Sequence, residues 1–153
     1  MSWKIEKGTK ADAGTIAAFQ IDMALESEGT VLDRELILKG VTSGLSDPGK
    51  GTYYLLRTDS GQTVGSLLVT KEWSDWNNCW YWWIQSVFIS REYRRQGAFS
   101  YFYETVRRYA LEEGAASLRL YVDRNNIKAQ KCYQKVGMDE CHYLMYEEPL
   151  KAE

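Results

Sequence analysis

The chain has 153 residues, 44% of them apolar and 14% aromatic, and carries a formal charge of −2. That length buries roughly two-thirds of its unfolded surface in one core without staples, and we read 1–153 as a single domain. The charge balance excludes a protein that coats nucleic acid, where a basic excess supplies the affinity. Cys79, Cys132 and Cys141 are odd in number, widely spaced and without a histidine cluster. They argue against a disulfide framework or a zinc site, and no metal is expected. No apolar run approaches the roughly 20 residues of a membrane span, and the first residues lack an apolar leader core. A soluble, cytoplasmic protein with no membrane partner is the expectation.

In chain order, Trp3 to Gly8 predicts an opening strand. Asp12 caps a helix over Ala13 to Leu25, followed by a polar break, Glu26-Ser27-Glu28-Gly29-Thr30. Asp33 begins a second helix, Arg34 to about Leu45, which Asp47-Pro48-Gly49 ends. Thr52 to Thr58 and Thr63 to Glu72 form a hairpin about Asp59-Ser60-Gly61. After a second turn, Cys79 to Ile89 is nearly all apolar, as a central strand should be. A helix runs to Gly114, with Phe99, Phe102, Tyr103, Val106, Tyr109 and Ala110 on one face. Ser117 to Val122 is a buried strand, Asn126 to Val136 a short helix, and Met138 to Glu147 a closing strand.

The stretch Ser86 to Ser100 organises the rest. A buried strand feeds a helix through Arg94-Arg95-Gln96-Gly97, so free backbone N–H groups and the positive end of a helix dipole converge on one spot. Arg91, Arg94 and Arg95 add charge there. A phosphate suits such a spot, although a solvated basic loop is the plainer reading of the pattern alone.

Together with the block Asn126 to Met138, this stretch resembles the two signature motifs of the GNAT acetyltransferases (GCN5-related N-acetyltransferases). The order β-α-α-β-β-β-α-β-α-β resembles that family over most of the chain. The resemblance implies an α/β (α+β) fold: a mixed, mostly antiparallel central sheet with splayed central strands, flanked by helices. It implies acetyl-CoA as co-substrate. Val87, Phe88 and Ile89 would bond its pantetheine arm by backbone, and Arg94, Arg95, Gln96, Gly97, Ala98, Phe99 and Ser100 would hold its diphosphate. Phe99 stands where the family has a small residue, and its ring must turn inward to leave its N–H available. Tyr133 occupies the position of the family's general acid, protonating the departing thiolate; a packing ring is the alternative. Asn126 matches an asparagine near the cofactor arm, and an N-cap role explains it equally well.

No carboxylate lies between Cys79 and Ile89, where many relatives place a glutamate. Candidate bases or amine-recognition groups are Glu26 and Glu28, since that break borders the acceptor pocket in similar proteins; Glu72 and Asp75 are further carboxylates. The aromatic run Trp73 to Trp83 either packs a core or dimer contact or holds an amine beside Asp75, with Trp83 and Gln85 as acceptor-side residues. No cysteine pairs with the single histidine, His142, which reads as structural, so direct amine attack is expected rather than a covalent acetyl-enzyme. The expected partner is a small-molecule amine acceptor, with a homodimer as the resemblance implies. The rivals are a non-catalytic acyl-CoA sensor and a protein N-terminal or lysine acetyltransferase.

Overall fold

The computed structural model describes residues 2–151. Five strands form one sheet in the order β1 (Trp3–Lys7), β2 (Thr52–Thr58), β3 (Thr63–Ser74), β4 (Cys79–Ile89), β5 (Ser117–Arg119). The first four are antiparallel neighbours, and β5 runs parallel to β4. The helices are α1 (Ala13–Glu28), α2 (Arg34–Ser46), α3 (Ala98–Glu112) and α4 (Ile127–Lys135).

Each sheet face has its own core. On one, Leu67, Val69, Trp82, Ile84 and Ile89 meet Phe102, Val106 and Ala110 of α3. On the other, Tyr53 and Leu55 meet Ile16 and Ala17 of α1 and Val41 of α2. The alternation along β2 and β3 makes this division, because successive side chains point to opposite faces.

Three expectations need correction. First, α1 does not stop at Leu25. Glu26, Ser27 and Glu28 continue it on the solvent side, with Ser27 Oγ donating to the Met23 carbonyl, until Gly29 turns left-handed (φ 64°). That extension puts Glu26 on the last helical turn. Second, β5 pairs only through Arg119, not to Val122. Third, Met138 to Glu147 forms no strand, and residues 139–151 are exposed throughout. Its apolar pattern is that of a strand, but β5 offers three paired residues, and the segment meets it only where Arg119 lies 5.9 Å from the Tyr143 ring.

The shortened β5 follows from a bulge in β4. Leu68 lies opposite Gln85 and Ser66 opposite Phe88, so two residues of β4 face one of β3, and Ser86 takes φ 55°. The extra residue shifts the alternation. Trp82 and Ile84, then Val87 and Ile89, face the α3 side, whereas Phe88 turns to the other face and stacks on Phe19 of α1 at 4.8 Å. Buried Gln20 of α1 donates to the Ser86 carbonyl at 3.3 Å. Gln20→Leu leaves that carbonyl without its partner. The expected cost is about 1–2 kcal/mol, a fall of about 2–8 °C in Tm; an unchanged melt would show that the bulge holds without Gln20.

Tyr54 is buried under α3, and burial, aided by the nearby charge of Glu113 and the phenol of Tyr109, pushes its pKa up to about 12. An unfolded tyrosine ionises near 10. The folded state therefore holds the proton more tightly. The stability this contributes is fully present below pH 10 and is lost as pH rises through 12. Tyr54→Phe, which has no proton to lose, should show a shallower fall in Tm between pH 10 and 12 than the natural chain.

Candidate functional site

β4 ends at Ile89, and the Ser90 N–H donates to the Val64 carbonyl at 2.7 Å, which pins the start of the loop to β3. A single 3-10 turn, Arg91–Tyr93, follows. Arg95 (φ 60°) and Gly97 (φ 79°) are left-handed, and α3 begins at Ala98. This alternation of hand leaves the N–H groups of Arg95, Gln96 and Gly97 without backbone acceptors among the described residues. The first turn of α3 adds those of Ala98, Phe99 and Ser100, which no helix can satisfy internally. A Cβ built on Gly97 meets no atom within 4 Å and projects into open space. The result is a concave row of donors at a positive helix end, a site for a diphosphate.

The edge of β4 turned toward β5 is paired only from Tyr81 to Trp83. From Ile84 to Ile89 it diverges from the neighbouring chain, so the backbone of Val87, Phe88 and Ile89 is open to an added amide-bearing arm. The bulge at Ser86 makes this opening.

Phe99 turns its ring inward. It lies 6.2 Å from Tyr103 and 5.7 Å, edge-on, from Tyr133 of α4, centroid to centroid. The bulky residue therefore does not obstruct the donor row, and it brings Tyr133 beside the cofactor loop. Burial, with a smaller contribution from Cys132, raises the pKa of Tyr133 above that of a free phenol. Its hydroxyl has no hydrogen-bond partner among the described residues. Asn126 caps α4: its side-chain oxygen accepts from the Ala129 N–H at 3.2 Å, leaving its amide NH2 to donate elsewhere.

Glu26 is engaged. Its carboxylate accepts from Arg94 at 2.8 Å and Arg91 at 3.1 Å. Partial burial raises its pKa, but the two guanidiniums outweigh that and hold it below the usual carboxylate range. Arg94 also donates to the Ile89 carbonyl at 2.7 Å and lies over the Phe88 ring, so the clamp ties the end of α1 to the end of β4. Glu28, two residues on, is exposed and makes no ion pair among the described residues.

On the α1 side of the sheet, Tyr81, Trp83, Gln85, Glu72 and Arg119 share an open face. Trp83 Nε1 donates to Glu72 at 2.9 Å, Arg119 reaches the same oxygen at 3.4 Å, and Arg119 stacks on Tyr81 at 3.9 Å. Gln85 donates to Thr70 Oγ1 across the strands, and Tyr121 lies 6.4 Å from Trp83. Asp75 is apart from this group, at the exposed tip of the β3–β4 hairpin beside Trp76. A cleft of about 430 Å³ lined by Tyr54, Lys71, Trp80, Trp82 and Glu113 opens at the other end of the sheet from Gly97. Among the described residues no cluster of His, Cys, Asp and Glu could hold a metal ion, and no helix is long and apolar enough to cross a membrane.

The sequence reading put Gln20 on or near the inner side of α1 but missed its bond to Ser86, the Ser86 bulge and the Glu26 clamp. Only Gln20 left a signal: an amide four residues after Ile16, on the apolar side of α1.

The Acetyltransferase (GNAT) family matches residues 17–138. The chain is 37% identical to a possible acetyltransferase from Clostridium difficile 630, over 99% of this chain and 100% of that one, with a TM-score of 0.92. Ribosomal-protein-alanine N-acetyltransferase from Brucella melitensis biovar Abortus 2308 has the same fold at 15% identity, 98% and 100% coverage and a TM-score of 0.80. So does AAC(6')-Iy in complex with a bisubstrate analogue, CoA-S-monomethyl-acetylneamine, at 14% identity, 99% and 100% coverage and a TM-score of 0.77. A search of curated proteins finds no match. A donor row at a strand–helix turn, beside a splayed parallel strand pair, on a match spanning most of the chain, defines the class. The chain belongs to the GNAT acetyltransferase family. It is an acetyl-CoA-dependent N-acetyltransferase, with acetyl-CoA as co-substrate.

Proposed function

We propose that the chain transfers acetyl from acetyl-CoA to an amine of a small molecule, by direct attack within a ternary complex. The observation that carries this is the contact of Tyr133 with Phe99, which sets a protonated phenol beside the open amides of the cofactor loop. Acetyl-CoA supplies an acyl group already activated as a thioester. The amides of Arg95 to Ser100 hold its diphosphate, the backbone of Val87 to Ile89 binds the arm, and the Asn126 amide steadies it. Tyr133 gives its proton to the leaving sulfur; its raised pKa keeps that proton in place at neutral pH.

With both arginines on Glu26, the exposed Glu28 and the second oxygen of Glu72, whose first holds Trp83 and Arg119, are left to recognise or deprotonate the amine. Trp83, Gln85 and the neighbouring rings give its alkyl part an apolar wall with cation–π capacity; Asp75 is a peripheral attractant. A structure of the same fold at 16% identity is an aminoglycoside acetyltransferase from an uncultured soil sample, which supports a small polyamine acceptor. The cytoplasmic location and the homodimer belong to the same proposal.

The test follows thiol release from acetyl-CoA with aminoglycosides, polyamines and aryl-alkylamines, against peptides carrying free N-termini or lysines. Turnover on free amines and none on peptides supports the reading. The reverse pattern overturns it in favour of protein acetylation. Silence with every acceptor, while acetyl-CoA still raises Tm, leaves the sensor.

A further inference from the structure

The sheet runs on past the end of α3. β3 reaches Ser74 and β4 starts at Cys79, whereas α3 closes at Glu112, and the cleft of about 430 Å³ opens beside Glu113, where the helix stops covering the strands. A volume of this order suits a small molecule. The loop after α2 forms its rim. Gly51 (φ 144°) lets that loop press on β3, since a Cβ there would fall 2.9 Å from the Val69 carbonyl. The floor and wall are apolar. Val69 and Trp82 are each 2% exposed, while Trp80 keeps 44% of its surface open and is held edge-on by Trp73 at 4.9 Å.

The polar groups lining this cleft are nearly all donors. Lys7 stands opposite Tyr54 across β1 and β2 and makes no ion pair among the described residues. Lys71 stands opposite Trp82, sits 5.1 Å over its ring and spends one N–H on Glu113 at 3.2 Å. Tyr54 is 5% exposed and lines the cleft, yet its hydroxyl makes no hydrogen bond among the described residues. Burial and the nearby Glu113 keep that hydroxyl protonated, so at neutral pH it is a donor without an acceptor. Two lysines against one engaged carboxylate leave a positive charge over. The end of α3 does little to offset it, because the carbonyls of Tyr109, Ala110 and Leu111 already accept from the N–H groups of Glu113, Ala115 and Gly114. Ammonium and phenol donors beside an apolar wall call for an anionic acceptor carried on a flat apolar body.

We propose that this cleft is a second ligand site, taking a small aromatic carboxylate whose ring lies against Trp80 and Val69 and whose carboxylate accepts from Lys7, Lys71 and Tyr54. Lys71 keeps its bond to Glu113 and gives a second N–H to the ligand, as an ammonium with three donors can. The site lies at the other end of the sheet from Gly97, shares no residue with the cofactor loop and does not depend on acetyl transfer.

Titration of indole-3-acetate into the full chain, followed through the indole N–H signals of its six tryptophans, tests this with and without CoA present. The readout needs no turnover, so it stands apart from the acetyl-transfer reading. The signals of Trp80 and Trp82 should shift, and to the same extent whether or not CoA is there. Indole-3-acetamide, which has no charge, and tryptamine, which has the opposite one, should bind at least roughly tenfold more weakly. Lys7→Met/Lys71→Met, which keeps both apolar stems, should weaken indole-3-acetate by at least roughly tenfold. Tyr54→Phe, which keeps the buried ring, should weaken it several-fold. Absence of any shift at millimolar ligand would overturn the proposal, as would an affinity indifferent to the lysine substitutions. Shifts confined to Trp83 would put the carboxylate on Arg119 at the other face and overturn it too. Tryptamine binding as well as indole-3-acetate would make Glu113 the recognising group and overturn the choice of an anion.

Discussion

Replacing Gly97 by valine abolishes the rise in melting temperature that acetyl-CoA produces. At φ 79° a β-branched residue is strained by about 1–2 kcal/mol, so the free variant melts a few degrees lower. The larger effect is on the ligand. The new side chain projects into the open space in front of the donor row, where a diphosphate must come within about 3 Å of backbone nitrogen. In the natural chain, acetyl-CoA at about 100 times its Kd adds about 2.7 kcal/mol of stability, or about 5–11 °C at this size. In Gly97→Val that increment disappears, for CoA as for acetyl-CoA. A variant that keeps the full shift would place the diphosphate somewhere other than this loop.

Tyr133→Phe lowers kcat by about 10²–10⁴-fold and leaves the acetyl-CoA melt shift in place. The separation is expected because the ring, which packs on Phe99, stays, and only a hydroxyl without a partner in the fold is removed. Stability should change by less than about 1 kcal/mol. The pH profile adds a check. Burial raises the pKa of the phenol above that of a free tyrosine, so any loss of kcat from its ionisation falls at higher pH than an exposed tyrosine would give. An unchanged kcat in the variant would remove Tyr133 from proton transfer and return it to packing.

Where the sequence reading of the fold succeeded, local chemistry and long-range burial agreed. β2 runs over the expected residues because both of its faces are covered, and β4 because Trp82, Ile84 and Ile89 are buried under α3 and Phe88 under α1. Asp33 caps α2 by accepting from the N–H groups of Glu35 and Leu36. Asp12 also precedes a helix, but its carboxylate goes to the Thr9 N–H and to Arg57, a partner on β2 that the local pattern could not reveal. The same limit applies at the site. The donor row was legible because it is made by consecutive residues and one glycine. The clamp on Glu26 was not, since it joins residues 26, 91 and 94 through the packing of α1 on β4. The bulge was invisible for another reason: Ser86 is not a residue type that announces a left-handed backbone. The segment 138–147 has the composition of a strand, and composition says nothing about whether a paired neighbour is in reach.

The Glu26 clamp means that the cofactor loop carries its own counterion. Two of its three arginines share one carboxylate fixed to a helix, which cancels one of the three positive charges, so an arriving diphosphate meets less bare charge than the arginines alone would present. Binding should therefore weaken somewhat less with added salt than the count of arginines suggests, because one of the three charges is already paired. The pairing also sets a threshold. Free phosphate or ATP can recruit Arg91 and Arg94 only in competition with Glu26 and gains nothing along β4, whereas a ligand with an amide-bearing arm adds backbone hydrogen bonds there. Selectivity for the whole cofactor over its charged end then resides as much in an acid on α1 as in the bases of the loop.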